Sequence, residues 1–335
     1  VLLVDKILQV KDLRVHFKND GQENPAVDGV SFDVYRGETL CIVGESGSGK
    51  SVTSLSIMKL VATPPGIYAG GEILFEGEDI LKKTSKQMGK LRGKEIAMIF
   101  QEPMTALNPV HKIGAQISEA LCIHENYDKK TAWKKAIEML SMVGVPDPER
   151  CANSFPHQLS GGMRQRVMIA MAFSCNPKML IADEPTTALD VTIQAQILDI
   201  IKKNKEERGM TVIFITHDLG VVADIAQRVI VMYAGRIVEE APCADLYANP
   251  LHPYTKGLLK CIPRVDQAQG ELDVIQGQVP SLANYPKGCR FHPRCPECMD
   301  ICKEEVPALV TVGEGRRVAC HRICAQCVPT TEEQE

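Results

Sequence analysis

Eight consecutive residues constrain this 335-residue chain more than any other feature: Gly44-Glu-Ser-Gly-Ser-Gly49-Lys50-Ser51, a match to G-x4-G-K-[ST]. The motif carries meaning only where a strand leads into it and a helix leads out. Here the apolar run Thr39–Val43 precedes it, and Lys50–Leu60 has helical spacing. Glycines let backbone N–H groups turn inward and wrap a phosphate. The following helix start adds its dipole. Lys50 then meets the β and γ phosphates, and the Ser51 hydroxyl can ligate Mg²⁺. Gly44, Ser46, Gly47, Gly49, Lys50, Ser51 and Val52 are the candidate nucleotide contacts. A glycine turn of this form arises by chance in a chain this long with a probability of roughly one per cent.

The rest of the chain reads as strands alternating with helices. Ile7–Phe17 alternates like an opening strand and is followed by a polar turn, Lys18–Pro25. Val30–Val34, Glu72–Phe75 and Ile96–Phe100 are strand-like, and residues 113–143 form one helical stretch. Gly144–Pro156 is a turn-rich break. Ser160–Phe173 and Val191–Glu207 read as helices, and Met179–Ala182, Val212–Ile215 and Val229–Met232 as buried strands. Such alternation predicts an α/β fold with a mostly parallel sheet and helices on its faces. Periodicity fades after about Pro250, where Pro, Gly and Cys become frequent.

Met179-Leu-Ile-Ala-Asp183-Glu184 is an apolar strand ending in two carboxylates. Alone, this is a strand leaving the core into a charged turn. Beside a phosphate loop it suggests Asp183 for Mg²⁺ and Glu184 for orienting the attacking water. Neighbouring strand residues point oppositely, so the two carboxylates can take two roles.

Leu159-Ser-Gly-Gly-Met163-Arg-Gln-Arg166 resembles the LSGGQ signature of ABC ATPases, with Met163 at the usual glutamine. The resemblance implies a P-loop ABC cassette with an α-helical signature subdomain. It also implies that Ser160, Gly161 and Gly162 cap the γ-phosphate of ATP on another subunit, an anion role that suits a helix start. Gln101 resembles the family's Q-loop glutamine, which touches Mg²⁺. Ala188-Leu-Asp190 resembles the D-loop, and His217 the switch histidine that reaches the γ-phosphate. Phe17 lies where the family places an aromatic on adenine; Tyr35 and a plain core role for Phe17 are the alternatives. Gln101–Val110, Asp183–Leu198 and His252–Leu259 are similar to the dipeptide/oligopeptide importers, within a likeness spanning roughly residues 5–325. Nickel importers of the same group are an alternative. The division implied is a nucleotide-binding domain at 1–255, with its helical subdomain at about 102–175, and a C-terminal extension at 256–335.

Of 13 cysteines, seven lie between Cys289 and Cys327. In an intracellular chain such a cluster reads as metal binding before disulfides. The other six, from Cys41 to Cys261, read as small apolar core residues. Cys295-x2-Cys298 and Cys324-x2-Cys327 suit tetrahedral Zn²⁺. The spacing Cys289-x5-Cys295-x6-Cys302-x17-Cys320 instead resembles the importer pattern, whose four thiolates hold a [4Fe–4S] cluster.

The net charge of −4 argues against a nucleic-acid partner. No apolar run approaches the ~18 residues a spanning helix needs, so the chain is expected to be soluble and intracellular. The resemblance implies a peripheral place on the cytoplasmic face of the membrane. Its implied partners are a second cassette subunit, two transmembrane permeases and an extracytoplasmic peptide-binding protein. Two rival classes are a soluble ABC ATPase of repair or translation and a module that holds ATP without turning it over. The first tends to carry tandem cassettes or a long coiled-coil insertion, and this chain has one cassette and no such insertion. The second would lack Glu184 or His217, and both are present.

Overall fold

The computed structural model describes residues 5–19, 21–187, 190–261 and 275–327. The chain divides into two compact units.

One unit is built from residues 6–34, 39–79 and the chain from 216 onward. Its first sheet is antiparallel, in the order Gln22–Tyr35, Lys6–Asn19, Gly66–Phe75, Glu78–Asp79. The second strand is longer than the sequence suggested. It resumes at Gln22, directly after Gly21 turns the chain at φ +81°, so the expected turn at 18–25 is far tighter. In the same unit Thr39–Val43 pairs in parallel with Arg228–Tyr233, which runs antiparallel to Arg236–Pro242. All five residues of Thr39–Val43 are buried, the expected condition of a parallel strand covered on both faces.

The extension adds to this sheet. Val310–Gly313 pairs with Arg316–Val318, which pairs with Arg236–Pro242. No sequence pattern announced these strands. Arg236–Pro242 carries Glu239 and Glu240 at its centre, and both are almost fully buried. Long-range partners make that possible. Glu240 is paired with Arg228 and Arg317. Glu239 accepts the N–H groups of Leu251 and His252, each at 2.8 Å. A buried charge is tolerated only with such partners.

The other unit holds 80–215 with 35–38 and Asp5. Ile96–Ile99, Met179–Asp183 and Thr211–Ile215 run parallel and are wholly buried. The single helical stretch expected over 113–143 is two helices, Ile113–Glu125 and Lys129–Met142. Asn126 ends the first in the left-handed region, a conformation asparagine tolerates. Asp128 starts the second by accepting the N–H groups of Lys130 and Thr131. The expected break at 144–156 holds a further helix, Pro148–Asn153, with Asp147 as its cap and proline in its first turn.

Candidate functional site

In the first unit, Gly44–Ser51 forms the loop that the motif requires, between a buried strand and the helix Lys50–Ile57. Gly44 has φ +148°, and a Cβ there would sit 2.2 Å from the Met232 carbonyl. Gly49 caps the helix in the left-handed region at φ 99°, with no side-chain hydrogen bond of its own. Neither position accepts another residue without a shift of backbone. Lys50 is 5% exposed, and its Nζ donates to the carbonyls of Gly44 (2.7 Å) and Glu45 (3.0 Å). Ser46 and Gly47 are exposed, and Ser51 and Val52 stand half-buried on the first helical turn. Phe17 is half-buried on its strand, opposite Gly66, so it is not a core residue. His217 is exposed just beyond Thr211–Ile215.

The second unit brings the acidic strand end together with Gln101. Asp183 is 4% exposed at the end of its strand. Glu184 follows with φ 47°, a strained value for a non-glycine residue. Its N–H donates to the Ile215 carbonyl, and its carboxylate accepts from Gln101 Nε2 at 3.0 Å and Thr187 Oγ1 at 2.9 Å. The carboxylate is therefore aimed, not merely placed.

Ser160 caps the helix Gly161–Phe173, accepting the Met163 N–H at 3.3 Å. Gly161 is exposed and Gly162 packs near Ile193. Asp190 caps Val191–Arg208 by accepting the Ile193 N–H at 2.9 Å. Ala188 and Leu189 of the expected D-loop lie outside the described residues.

Three contacts escaped the sequence reading. Buried Gln165 donates to the Pro185 carbonyl and so ties the signature helix to the loop after Glu184. Thr187 orients Glu184. Glu45, a variable position of the phosphate motif, is held by residues more than two hundred positions away. No local pattern marks any of the three.

Cys289, Cys295, Cys302 and Cys320 line one cavity, with His252, Phe291 and His321 among its other walls. Cys298 is not part of that lining; its sulfur lies 3.5 Å from the Met299 carbonyl and also interacts with the Cys302 thiol. Cys324 turns towards the Ala308 carbonyl, and nothing is described of the Cys327 side chain. Burial pushes the thiols of Cys289 and Cys295 up to about 11, and neighbouring thiol sulfurs push in the same direction. Among the described residues, no three or more His, Cys, Asp or Glu side chains gather closely enough to hold a metal ion. Of the six earlier cysteines, Cys41, Cys151, Cys175 and Cys243 are buried as expected, while Cys122 and Cys261 are half-buried.

Loop, acidic strand end and signature helix together are those of an ATP-binding cassette. Residues 27–187 match the ABC transporter family, and residues 238–302 match the oligopeptide/dipeptide transporter C-terminal region. The chain is 54% identical to the oligopeptide transport ATP-binding protein AppD of Bacillus subtilis, over 94% of this chain and 96% of that one. It is 50% identical to the dipeptide transport ATP-binding protein DppD of the same organism, over 95% of each chain. Its fold is similar to the ATP-binding cassette MJ0796, solved as a dimer in a post-hydrolysis state with ADP and Pi: TM-score 0.64, 30% identity, 70% of this chain and 98% of that one. The chain belongs to the ATP-binding subunits of ABC transporters, in the group that carries the oligopeptide/dipeptide C-terminal region.

Proposed function

We propose that this chain hydrolyses ATP to energise the import of oligopeptides or dipeptides. The observation that carries the chemistry is the Glu184 carboxylate, held by Gln101 and Thr187 at a buried strand end. The observation that supports the cargo is the C-terminal region shared with relatives named for oligopeptide and dipeptide transport.

In this reading Lys50 and the loop amides of Gly44, Ser46, Gly47, Gly49, Ser51 and Val52 bind the phosphates, and Phe17 stacks on the base. Ser51, Gln101 and Asp183 would hold Mg²⁺, an oxygen donor set that suits a hard cation. When bound, Mg²⁺ neutralises charge growing on the β and γ phosphates. Glu184 orients the water that attacks the γ-phosphorus, and the bond to the β-bridging oxygen breaks to leave ADP and phosphate. His217 donates to the γ-phosphate. Ser160, Gly161 and Gly162, with Asp190 at the cap of the helix whose Ile193 lies near Gly162, serve the nucleotide of a second cassette subunit. Closure and opening of that pair would drive two transmembrane permeases at the cytoplasmic face of the membrane, supplied by an extracytoplasmic peptide-binding protein. Among the described residues no helix is long and apolar enough to cross a membrane. The nucleotide-binding part is read as 1–255, with its helical subdomain at 102–175, and the extension as 256–335.

The same reading gives Cys289, Cys295, Cys302 and Cys320 a [4Fe–4S] cluster. What supports it is that all four line one cavity. The role proposed for the cluster is to staple a loop-rich segment.

The deciding experiment reconstitutes the chain with its permeases, partner cassette and binding protein in vesicles. ATP-dependent uptake of labelled peptide is expected, and Glu184→Gln in this chain should abolish or sharply reduce it. Uptake of nickel without peptide would replace the cargo assignment.

A further inference from the structure

The side chain and the backbone of Glu45 are both gripped by the C-terminal extension. Arg294 forks onto its carboxylate, Nη1 to Oε2 at 2.7 Å and Nη2 to Oε1 at 3.1 Å. Tyr254 Oη accepts the Glu45 N–H at 2.9 Å. The Glu45 carbonyl in turn accepts from Lys50 Nζ at 3.0 Å. Lys50 Nζ also donates to the Gly44 carbonyl at 2.7 Å, so the phosphate-binding ammonium rests on both peptide groups that flank the Glu45 Cα.

The grip is built, not incidental. Arg294 is 5% exposed, and its remaining donors are used: Nε on the Gln276 carbonyl at 2.9 Å, Nη2 also on Ile275, Nη1 also towards Tyr233. A guanidinium with its N–H groups committed in a fixed fork has little freedom to turn. Tyr254 is 0% exposed and stands in an aromatic cluster with Tyr233 and Phe291, at ring-centroid distances of 4.7 and 5.3 Å. Its helix is started by fully buried His252, which accepts the Tyr254 N–H at 3.0 Å. Phe291 and Cys295, the residue after Arg294, line the cysteine cavity.

We infer that Arg294 and Tyr254 are positioning residues for the phosphate loop, so that the C-terminal extension sets how tightly the cassette takes nucleotide. The inference deepens the ATP-site reading and rests on it. A loop of this kind binds phosphate with backbone N–H groups, and its affinity depends on holding them in one arrangement. Glu45 carries none of that chemistry itself; it is the handle by which the extension holds the loop.

The test is calorimetric titration of MgADP into the full chain, with iron content measured on each sample. Wild type must bind first; if it does not, the ATP-site reading fails and not the clamp. Arg294→Met is expected to weaken binding by about tenfold, a change of about 1.4 kcal/mol. Arg294→Lys should recover part of that, because an ammonium keeps the charge but loses the fork. Glu45→Gln should weaken binding, and adding it to Arg294→Met should cost little more, since both break one contact. Tyr254→Phe, which removes only the oxygen that receives the Glu45 N–H, should weaken binding a few-fold with iron unchanged, and it decides the matter if Arg294→Met does not fold. Wild-type affinity in Arg294→Met or Tyr254→Phe, or a double variant as weak as the product of the two singles, would overturn the clamp.

Discussion

Between Gly44 and Ser51 the turns come from the loop's own backbone, with positive φ at Gly44, Gly47 and Gly49 and a lysine turned onto carbonyls five and six residues back, although Glu45 is held from far along the chain. In the described part of the extension, side chains reach across the chain: Arg294 to Glu45, Arg290 to Asp28, Arg317 to Glu240. The first kind of structure is local and can be read from eight letters. The second cannot, because no arginine announces its partner. The proposed function thus puts the chemistry in the cassette and gives the extension a supporting part. Damage should differ accordingly: cassette variants should lose turnover, and extension variants should lose affinity, stability or, if the proposed cluster is present, iron.

The largest expected effect belongs to Glu184→Gln. It should still bind MgATP, because Lys50 and Ser51 are untouched, but turn it over at least about a hundredfold more slowly, the usual scale for a lost general base. In the presence of the partner subunit it should trap an ATP-bound dimer. Phosphate release near the wild-type rate in the assembled transporter would remove Glu184 from the role.

Next come the thiols, where the two regions separate most cleanly. Protein purified without oxygen should be brown with about four irons per chain. Cys302→Ser should lose that iron and loosen the segment after about residue 280. Cys298→Ser should keep both, since Cys298 is not among the residues that line the cavity shared by the other four. Stoichiometric zinc without iron or labile sulfide would replace the cluster by a thiolate zinc site.

The smallest effect is a pH dependence in the extension. Burial, helped by the Lys256 charge, drives the His252 pKa down to about 3. The folded chain therefore refuses a proton that the unfolded chain accepts below its ordinary value of 6.5. Stability from this group is full above that value and falls as pH drops from 6.5 towards 3, by up to about 1.4 kcal/mol per pH unit. Asparagine can still accept the Tyr254 N–H but does not titrate. The melting temperature of wild type should thus approach that of His252→Asn by a few degrees between about pH 7.5 and pH 5.5. A gap that stays constant would show that His252 is not held neutral.

Legibility followed the same division. Thr39–Val43 was placed to the residue, because a buried parallel strand is a plain apolar run. The phosphate loop, Asp183, Glu184 and the Ser160 helix cap were all where their motifs put them. Arg236–Pro242 was missed because two buried glutamates hide it, and Asn126 split a helix that apolar spacing made continuous. Gln165, Thr187 and Glu45 were invisible because their roles are hydrogen bonds to residues that only folding brings near.

The most direct test of the composite ATP site is the rate of phosphate release per chain as protein concentration rises. The proposed function assigns Ser160 and its glycines to another subunit's nucleotide, and on that reading a lone chain would lack a complete site. The account predicts poor hydrolysis by the dilute purified chain, a specific activity that climbs with concentration as weak pairs form, and a much higher rate once the partner cassette is added. Vigorous hydrolysis that does not change on dilution, by a chain shown to be monomeric, would contradict it.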